Sequence, residues 1–206
     1  MIAIIDYQAG NQTSVYRALV HLGIPCIITA ESEEILTAER VIFPGVGAAG
    51  KAMDVIFSRG LGPVIREVVR QGTPFLGICL GSQIILDRSE ENNTACLGLI
   101  SGSARKFPDH VKVIPHMGWN TITVKRPHPI LAHLDPRSQF YFVHSFYPEP
   151  THVDALIAVT DYGIEFASVI GKANVVATQF HPEKSGPPGL QLLKNFSEWT
   201  GEVATC

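Results

Sequence analysis

In the first half of the chain the apolar positions alternate between two rhythms. Ile2 to Ile5 is an unbroken apolar run that stops at Asp6, the pattern of a parallel strand buried on both faces. After the turn-like Gly10-Asn11, residues Val15, Ala18, Leu19 and Leu22 recur at helical spacing until Gly23 and Pro25 break the pattern, which predicts an amphipathic helix. Residues 24–29 return to strand character, and Val41-Ile42-Phe43 gives another strand that ends at Pro44-Gly45-Val46-Gly47. Val64, Ile65, Val68 and Val69 predict a second helix closed by Gln71-Gly72, and residues 74–78 a fourth strand. Alternation of this kind calls for a parallel sheet with helices on both faces. Functional side chains then belong beyond the carboxyl ends of the strands.

The second half reads differently. Residues 121–124, 139–143, 155–160, 166–170 and 175–180 are short β-rich runs with few helical periods between them, and they predict added antiparallel strands. Leu190, Leu193, Phe196 and Trp199, at intervals of three, predict a closing helix packed on the sheet. No repeat or linker interrupts the pattern, so residues 1–206 are expected to form one α/β domain: a mostly parallel sheet flanked by helices on both faces, with antiparallel strands added in the second half.

Composition narrows the function classes. With 46% hydrophobic and 17% charged residues and a formal net charge of -3, the chain has a globular rather than a disordered or membrane composition. It carries no basic stripe for nucleic acid. The opening residues lack a basic leader and a small-residue cleavage site, so a cytoplasmic location is expected. Cys26, Cys79, Cys96 and Cys206 are scattered and the eight histidines show no ligand-like spacing, so neither a disulfide framework nor a metal site is expected. Cys26 and, more weakly, Cys96 read as core residues, Cys206 as part of a frayed terminus.

The candidate chemistry begins at Gly77-Ile78-Cys79-Leu80-Gly81, which follows a strand and precedes the apolar helical run Ile84-Ile85-Leu86. This is the strand, sharp turn and helix of a nucleophile elbow, with cysteine where serine usually stands. A helix N-terminus favours thiolate over thiol, and the Leu80 N–H is placed to meet an oxyanion. Alone, the pentapeptide fits a small buried cysteine equally well. Far downstream, after another strand, comes Gln179-Phe180-His181-Pro182-Glu183. In an extended segment His181 and Glu183 project to one side with Pro182 stiffening the pair, as a base and its orienting acid require. An isolated H-P-E would be a surface turn; the elbow and H-P-E together, both at strand ends of one sheet, point to a Cys-His-Glu nucleophilic site. The glycine-rich Pro44-Gly45-Val46-Gly47 offers further backbone donors.

These residues resemble the class I (triad) glutamine amidotransferases, whose signature is the G-x-C-x-G elbow followed by H-P-E, over nearly the whole chain. Asp6-Tyr7 with Gly10-Asn11, Pro44-Gly45-Val46-Gly47, His116-Met117-Gly118-Trp119-Asn120, residues 142–146, and His181-Pro182-Glu183-Lys184-Ser185 with Gly189-Leu190 carry a narrower likeness to the branch serving histidine biosynthesis. The resemblance implies that Cys79 forms a γ-glutamyl thioester, His181 shuttles the proton and Glu183 orients His181. It implies that Gly47 and Leu80 donate the oxyanion N–H groups, and that Gln83, Ser145 and Phe146 hold L-glutamine. It further implies a (β/α)₈ barrel synthase as heterodimer partner, receiving ammonia through a tunnel, and no cofactor. Gln8, Ser82 and Gly186 depart from the residues usual there; the first, with Asn11, lies where the family meets its partner. Rival readings are a subunit serving anthranilate, purine or pyridoxal phosphate synthesis, a silent binding module, and a general cysteine hydrolase. His116 and His144 read as core or loop histidines, and Trp119 as plain packing unless it faces the partner.

Overall fold

The computed structural model describes residues 1–8, 11–111 and 113–202. Gly10, half of the expected first turn, and Cys206 lie outside the described residues. β1 (Ile2–Ile5) is buried throughout, as its four apolar residues require. In α1 (Gln12–His21), Val15, Ala18 and Leu19 are buried, and Gly23 at φ +70° ends the turn that follows it. β2 (Cys26–Thr29) pairs with β1 at the sheet edge, which leaves Cys26 half-buried rather than in the core. α2 (Ser32–Leu36) follows, then β3 (Arg40–Gly45), which already includes Pro44 and Gly45, so the glycine-rich loop is shorter than expected. After α3 (Ala49–Ser58) and α4 (Leu61–Arg70) comes β4 (Phe75–Cys79), buried along its length.

α5 (Leu80–Ile84) stops short of the expected run through Leu86. The physical reason is competition for carbonyls: the N–H groups of Leu97, Leu99 and Gly98 donate to the carbonyls of Ile84, Ile85 and Leu86. A loop has taken the acceptors that a longer helix would use. β5 (Arg88–Ser89), β6 (Thr94–Ala95), β7 (Gly102–Lys106), β8 (His116–Thr121), β10 (Gln139–His144) and β11 (Phe146–Pro150) then build a peripheral layer, while the short β9 (Thr123–Val124) joins the edge of the main sheet. β12 (Leu156–Asp161), β13 (Glu165–Lys172) and β14 (Val175–Thr178) return to the main sheet, and α6 (Gly186–Glu198) closes the described structure.

The main sheet has eight strands in the order β2-β1-β3-β4-β14-β13-β12-β9. Pairings from β2 through β14 are parallel and those beyond it antiparallel, so β14, expected among the antiparallel additions, instead extends the parallel part. Side chains alternate faces along each strand. Ala3, Ile5, Val41 and Phe43 pack with α2, α3 and α4 on one face. Ile2, Ile4, Ile42, Leu76 and Ile78 pack with α1 and α6 on the other. Two cores sandwich the sheet. The carboxyl ends of β1, β3, β4 and β14 therefore converge along one rim, where ligands bind in open α/β sheets.

Candidate active site

Cys79 is the last residue of β4, opposite Gly45 of β3, and its neighbour Ile78 faces Thr178 of β14. Its φ of 54° and ψ of −106° are left-handed and strained for a residue with a Cβ, a cost on the order of 1–3 kcal/mol. The conformation turns the chain abruptly from strand into α5. The flanking glycines serve close approach rather than the turn itself. A Cβ on Gly81 would lie 2.3 Å from the Phe43 carbonyl oxygen, and one on Gly77 2.9 Å from the Gly81 carbonyl. α5 can lie this close to β3 and β4 only without those side chains.

Beyond β14 the chain bends through Gln179 and Phe180 to His181, whose backbone N–H donates to the Tyr141 carbonyl at 2.9 Å. The Ser185 hydroxyl donates to the His181 carbonyl at 2.6 Å and accepts from the Tyr141 N–H at 3.0 Å, which clamps the segment to β10. Pro182–Lys184 is a 3-10 turn, so Glu183 reaches its histidine by a tight turn and not along an extended segment. Proline at the first position of a helical turn explains the difference: its fixed φ and missing N–H both suit that place. His181 Nδ1 and Glu183 Oε1 are 2.7 Å apart, and both side chains are buried. Asn11 Nδ2 donates to the same carboxylate oxygen at 2.8 Å. Asn11, expected toward a partner, thus also serves the site from within.

His181 Nε2 is buried and lacks a well-formed hydrogen bond, although the Cys79 sulfur acts on the same ring. Such contacts often tighten only when substrate binds. Burial opposes charge on this imidazole, but hydrogen bonding and charge from Cys79, then from Glu183, outweigh burial and push His181 up to about 10. A proton donor is thereby held beside the sulfur at neutral pH.

Cys79, Gly47, Leu80, Gln83, Ser145 and Phe146 line one cavity of about 330 Å³, together with Val46, Val143 and His144. Gly47 adopts φ +94° there, which suits glycine. Gln83 is fixed by donating its Nε2 to the Phe146 carbonyl at 2.9 Å. His116 and His144 are buried, with His116 Nδ1 and His144 Nε2 3.1 Å apart, and burial lowers them to about 4 and about 3. They are neutral framework. A larger cavity of about 430 Å³, lined by Arg126, His152 and Lys172, lies beside the turn that precedes β14, away from Cys79. Among the described residues no three His, Cys, Asp or Glu side chains form a group able to hold a metal ion.

All eight expected site residues therefore gather on one rim of the sheet. Sequence reasoning missed two others beside them. Tyr7 is wholly buried and stacked on Phe43, and burial raises its hydroxyl above the ordinary tyrosine range, with Cys79 adding to the rise. Gln179, also fully buried, contacts Gln83 and the Cys79 sulfur. A polar residue ending an apolar strand run was the available signal for Gln179.

Residues 3–199 match the family model described as glutamine amidotransferase class-I. The chain is similar to the imidazole glycerol phosphate synthase subunit HisH of Nitratidesulfovibrio vulgaris, 53% identical over 99% of each chain. It is also similar to the protein of that name from Dehalococcoides mccartyi, 44% identical over 95% of this chain and 96% of the other. Among solved structures it resembles PurLQS from Thermotoga maritima, with a TM-score of 0.76, 17% identity and coverage of 95% and 96%. A glutamine amidotransferase from Thermotoga maritima gives 0.70, 14% identity and coverage of 98% of each chain. At such identities these two speak for the fold alone.

Proposed function

The chain belongs to the class I glutamine amidotransferase family, and from that premise we propose that it is the glutaminase subunit of an imidazole glycerol phosphate synthase, hydrolysing L-glutamine and passing ammonia to a (β/α)₈ barrel synthase in histidine biosynthesis. The observation that carries this reading is the buried His181–Glu183 pair acting on Cys79, which itself lines a cavity, in a chain 53% identical to a HisH subunit over its length. The cytoplasm is its proposed location; no described helix is long and apolar enough to cross a membrane.

Each step draws on the residues proposed for the site. The Cys79 sulfur attacks the carboxamide carbon, and the C=O electron pair moves onto oxygen. Backbone N–H groups of Gly47 and Leu80 stabilise that charge by on the order of a few kcal/mol each. His181 gives its proton to the nitrogen as the C–N bond breaks, releasing ammonia and leaving a γ-glutamyl thioester. Water, deprotonated by the now neutral His181, attacks the thioester carbon; the C–S bond breaks, glutamate leaves and Cys79 is restored. Gln83, Ser145 and Phe146 hold the substrate's amino-acid end. Free ammonia is protonated in bulk water, so a partner seated over the cavity suits the chemistry.

Ammonia release from glutamine, measured with and without a barrel synthase, tests the reading. Activity is expected to vanish in Cys79→Ala, and a glutamine-analogue electrophile is expected to modify Cys79. An undiminished rate in that variant would defeat the assignment.

A further inference from the structure

The side-chain amide of Gln179 has two unlike neighbours. Its Oε1 lies 3.0 Å from Gln83 Nε2 and 3.4 Å from Ser82 Oγ, while its Nε2 lies 3.7 Å from the Cys79 sulfur. Fixed donors decide which end faces the sulfur. The Phe146 carbonyl can only accept, and both His144 Nδ1 at 2.8 Å and Gln83 Nε2 at 2.9 Å approach it, so each presents an N–H. The second N–H of Gln83 then points at Gln179, whose facing atom must be oxygen. The NH₂ end of Gln179 is thereby aimed at Cys79 and has no equivalent flipped state.

We propose that Gln179 is a further catalytic residue of this site: its Nε2–H donates to the Cys79 sulfur and stabilises the thiolate, while its carbonyl locks Gln83 in the substrate-binding orientation. The inference rests on the glutaminase reading. A thiolate accepts a hydrogen bond more strongly than a thiol does, so the contact favours the reactive form. Space-filling alone would be met by an apolar side chain, without a buried amide whose groups all need partners. The titratable groups around the sulfur are His181 beyond β14, Tyr7 beyond β1, Glu91 on the wall of the same cavity and, behind them, His144 of β10 and Glu183. None is altered in the test.

Alkylation by iodoacetamide, a small neutral electrophile that needs no glutamine site, is followed at Cys79 by peptide mass mapping across pH. Gln179→Glu keeps the acceptor for Gln83 and puts a carboxylate oxygen beside the sulfur; Gln179→Met keeps the length and removes the donor. Each is expected to slow alkylation at pH 7 about tenfold or more and to raise the pH of half-maximal rate by about one unit. Folded variants that retain the parent pH profile overturn the role. In the unaltered chain a glutamine side-chain amide resonance is expected to move as Cys79 ionises, and its absence overturns the role without any variant. A parent chain that neither releases ammonia nor reacts with a glutamine-analogue electrophile fails the glutaminase reading itself. A parent that passes both while the variants keep its profile fails only Gln179.

Discussion

At the scale of single residues, the site depends on a cysteine holding a conformation that glycine would adopt more easily, beside glycines kept for their lack of a side chain. Gly81→Ala places a carbon 2.3 Å from the Phe43 carbonyl oxygen, and backbone cannot swing aside as a side-chain tip can. The substitution is expected to cost about 1–3 kcal/mol in urea unfolding and to misplace Cys79. Full stability would mean that α5 does not lie against β3. The Glu183 carboxylate is shared by His181 and Asn11. Glu183→Gln keeps the shape and removes the charge that supports the imidazolium, so kcat is expected to fall on the order of 10²–10⁴-fold. Asn11→Leu removes one donor to that carboxylate and the acceptor of the Ser14 hydroxyl, leaving the charge of Glu183 in place; roughly a tenfold loss in kcat with little change in KM is expected. Equal losses for the two would show that Asn11 does more than hold Glu183.

At the scale of elements, the sequence announces what large apolar residues announce. β1, β3 and β4 are continuous apolar runs, and α1 and α4 have branched side chains at helical spacing. α3 is silent because its buried face is Ala49, Ala52 and Ile56, small residues that carry little periodic signal, and α2 buries only Ile35. β11, Phe146–Pro150, contains two prolines that argue against a strand, yet it pairs with β7. The catalytic candidates were legible because elbow and H-P-E are local patterns tied to strand ends. The role of the Gln179 amide was not, since it depends on contacts across the sheet; the Glu183 turn had a local signal in Pro182, which suits the start of a helical turn as well as an extended segment. α6 tests the element scale: Phe196 is wholly buried against α1 and the sheet. Phe196→Ala is expected to cost about 3–5 kcal/mol and to lower Tm by roughly 10 °C. Glutaminase kcat per folded molecule should change little, because Phe196 lies in the last turns of α6, at the end away from the Pro182–Lys184 turn that its first residues pack against.

At the scale of the whole molecule, three buried histidines make stability fall on the acid side. His116 and His128 are held down to about 4 and His144 to about 3 by burial, against an ordinary 6.5. Below pH 6.5 the unfolded chain takes up protons that these folded histidines refuse, so stability present above that pH is lost as pH falls toward 4. His181, raised instead, contributes fully below 6.5 and loses its contribution only as pH climbs toward 10, so it is level in this window. Between pH 6.5 and 5, before most carboxylates titrate, urea unfolding should show a loss on the order of a few kcal/mol. A flat profile there would mean that these histidines charge in place. The surface makes a separate demand. Scattered exposed apolar residues need no explanation, but Met117 and Trp119 are 62% and 54% exposed at alternate positions of β8, on one face of that strand. Trp119 meets Tyr141 edge-on at 5.9 Å, and the Lys184 ammonium, one residue from Glu183, stands 6.0 Å from the same ring. A half-exposed tryptophan braced by one aromatic neighbour suits an interface anchor, because its ring is already ordered before a partner arrives. Trp119→Ala is therefore expected to leave unfolding within about 0.5 kcal/mol of the parent. The same change should weaken binding to the proposed barrel synthase about 10–30-fold by calorimetry. An unchanged affinity would move the partner off this face, and a large loss of stability would return Trp119 to packing.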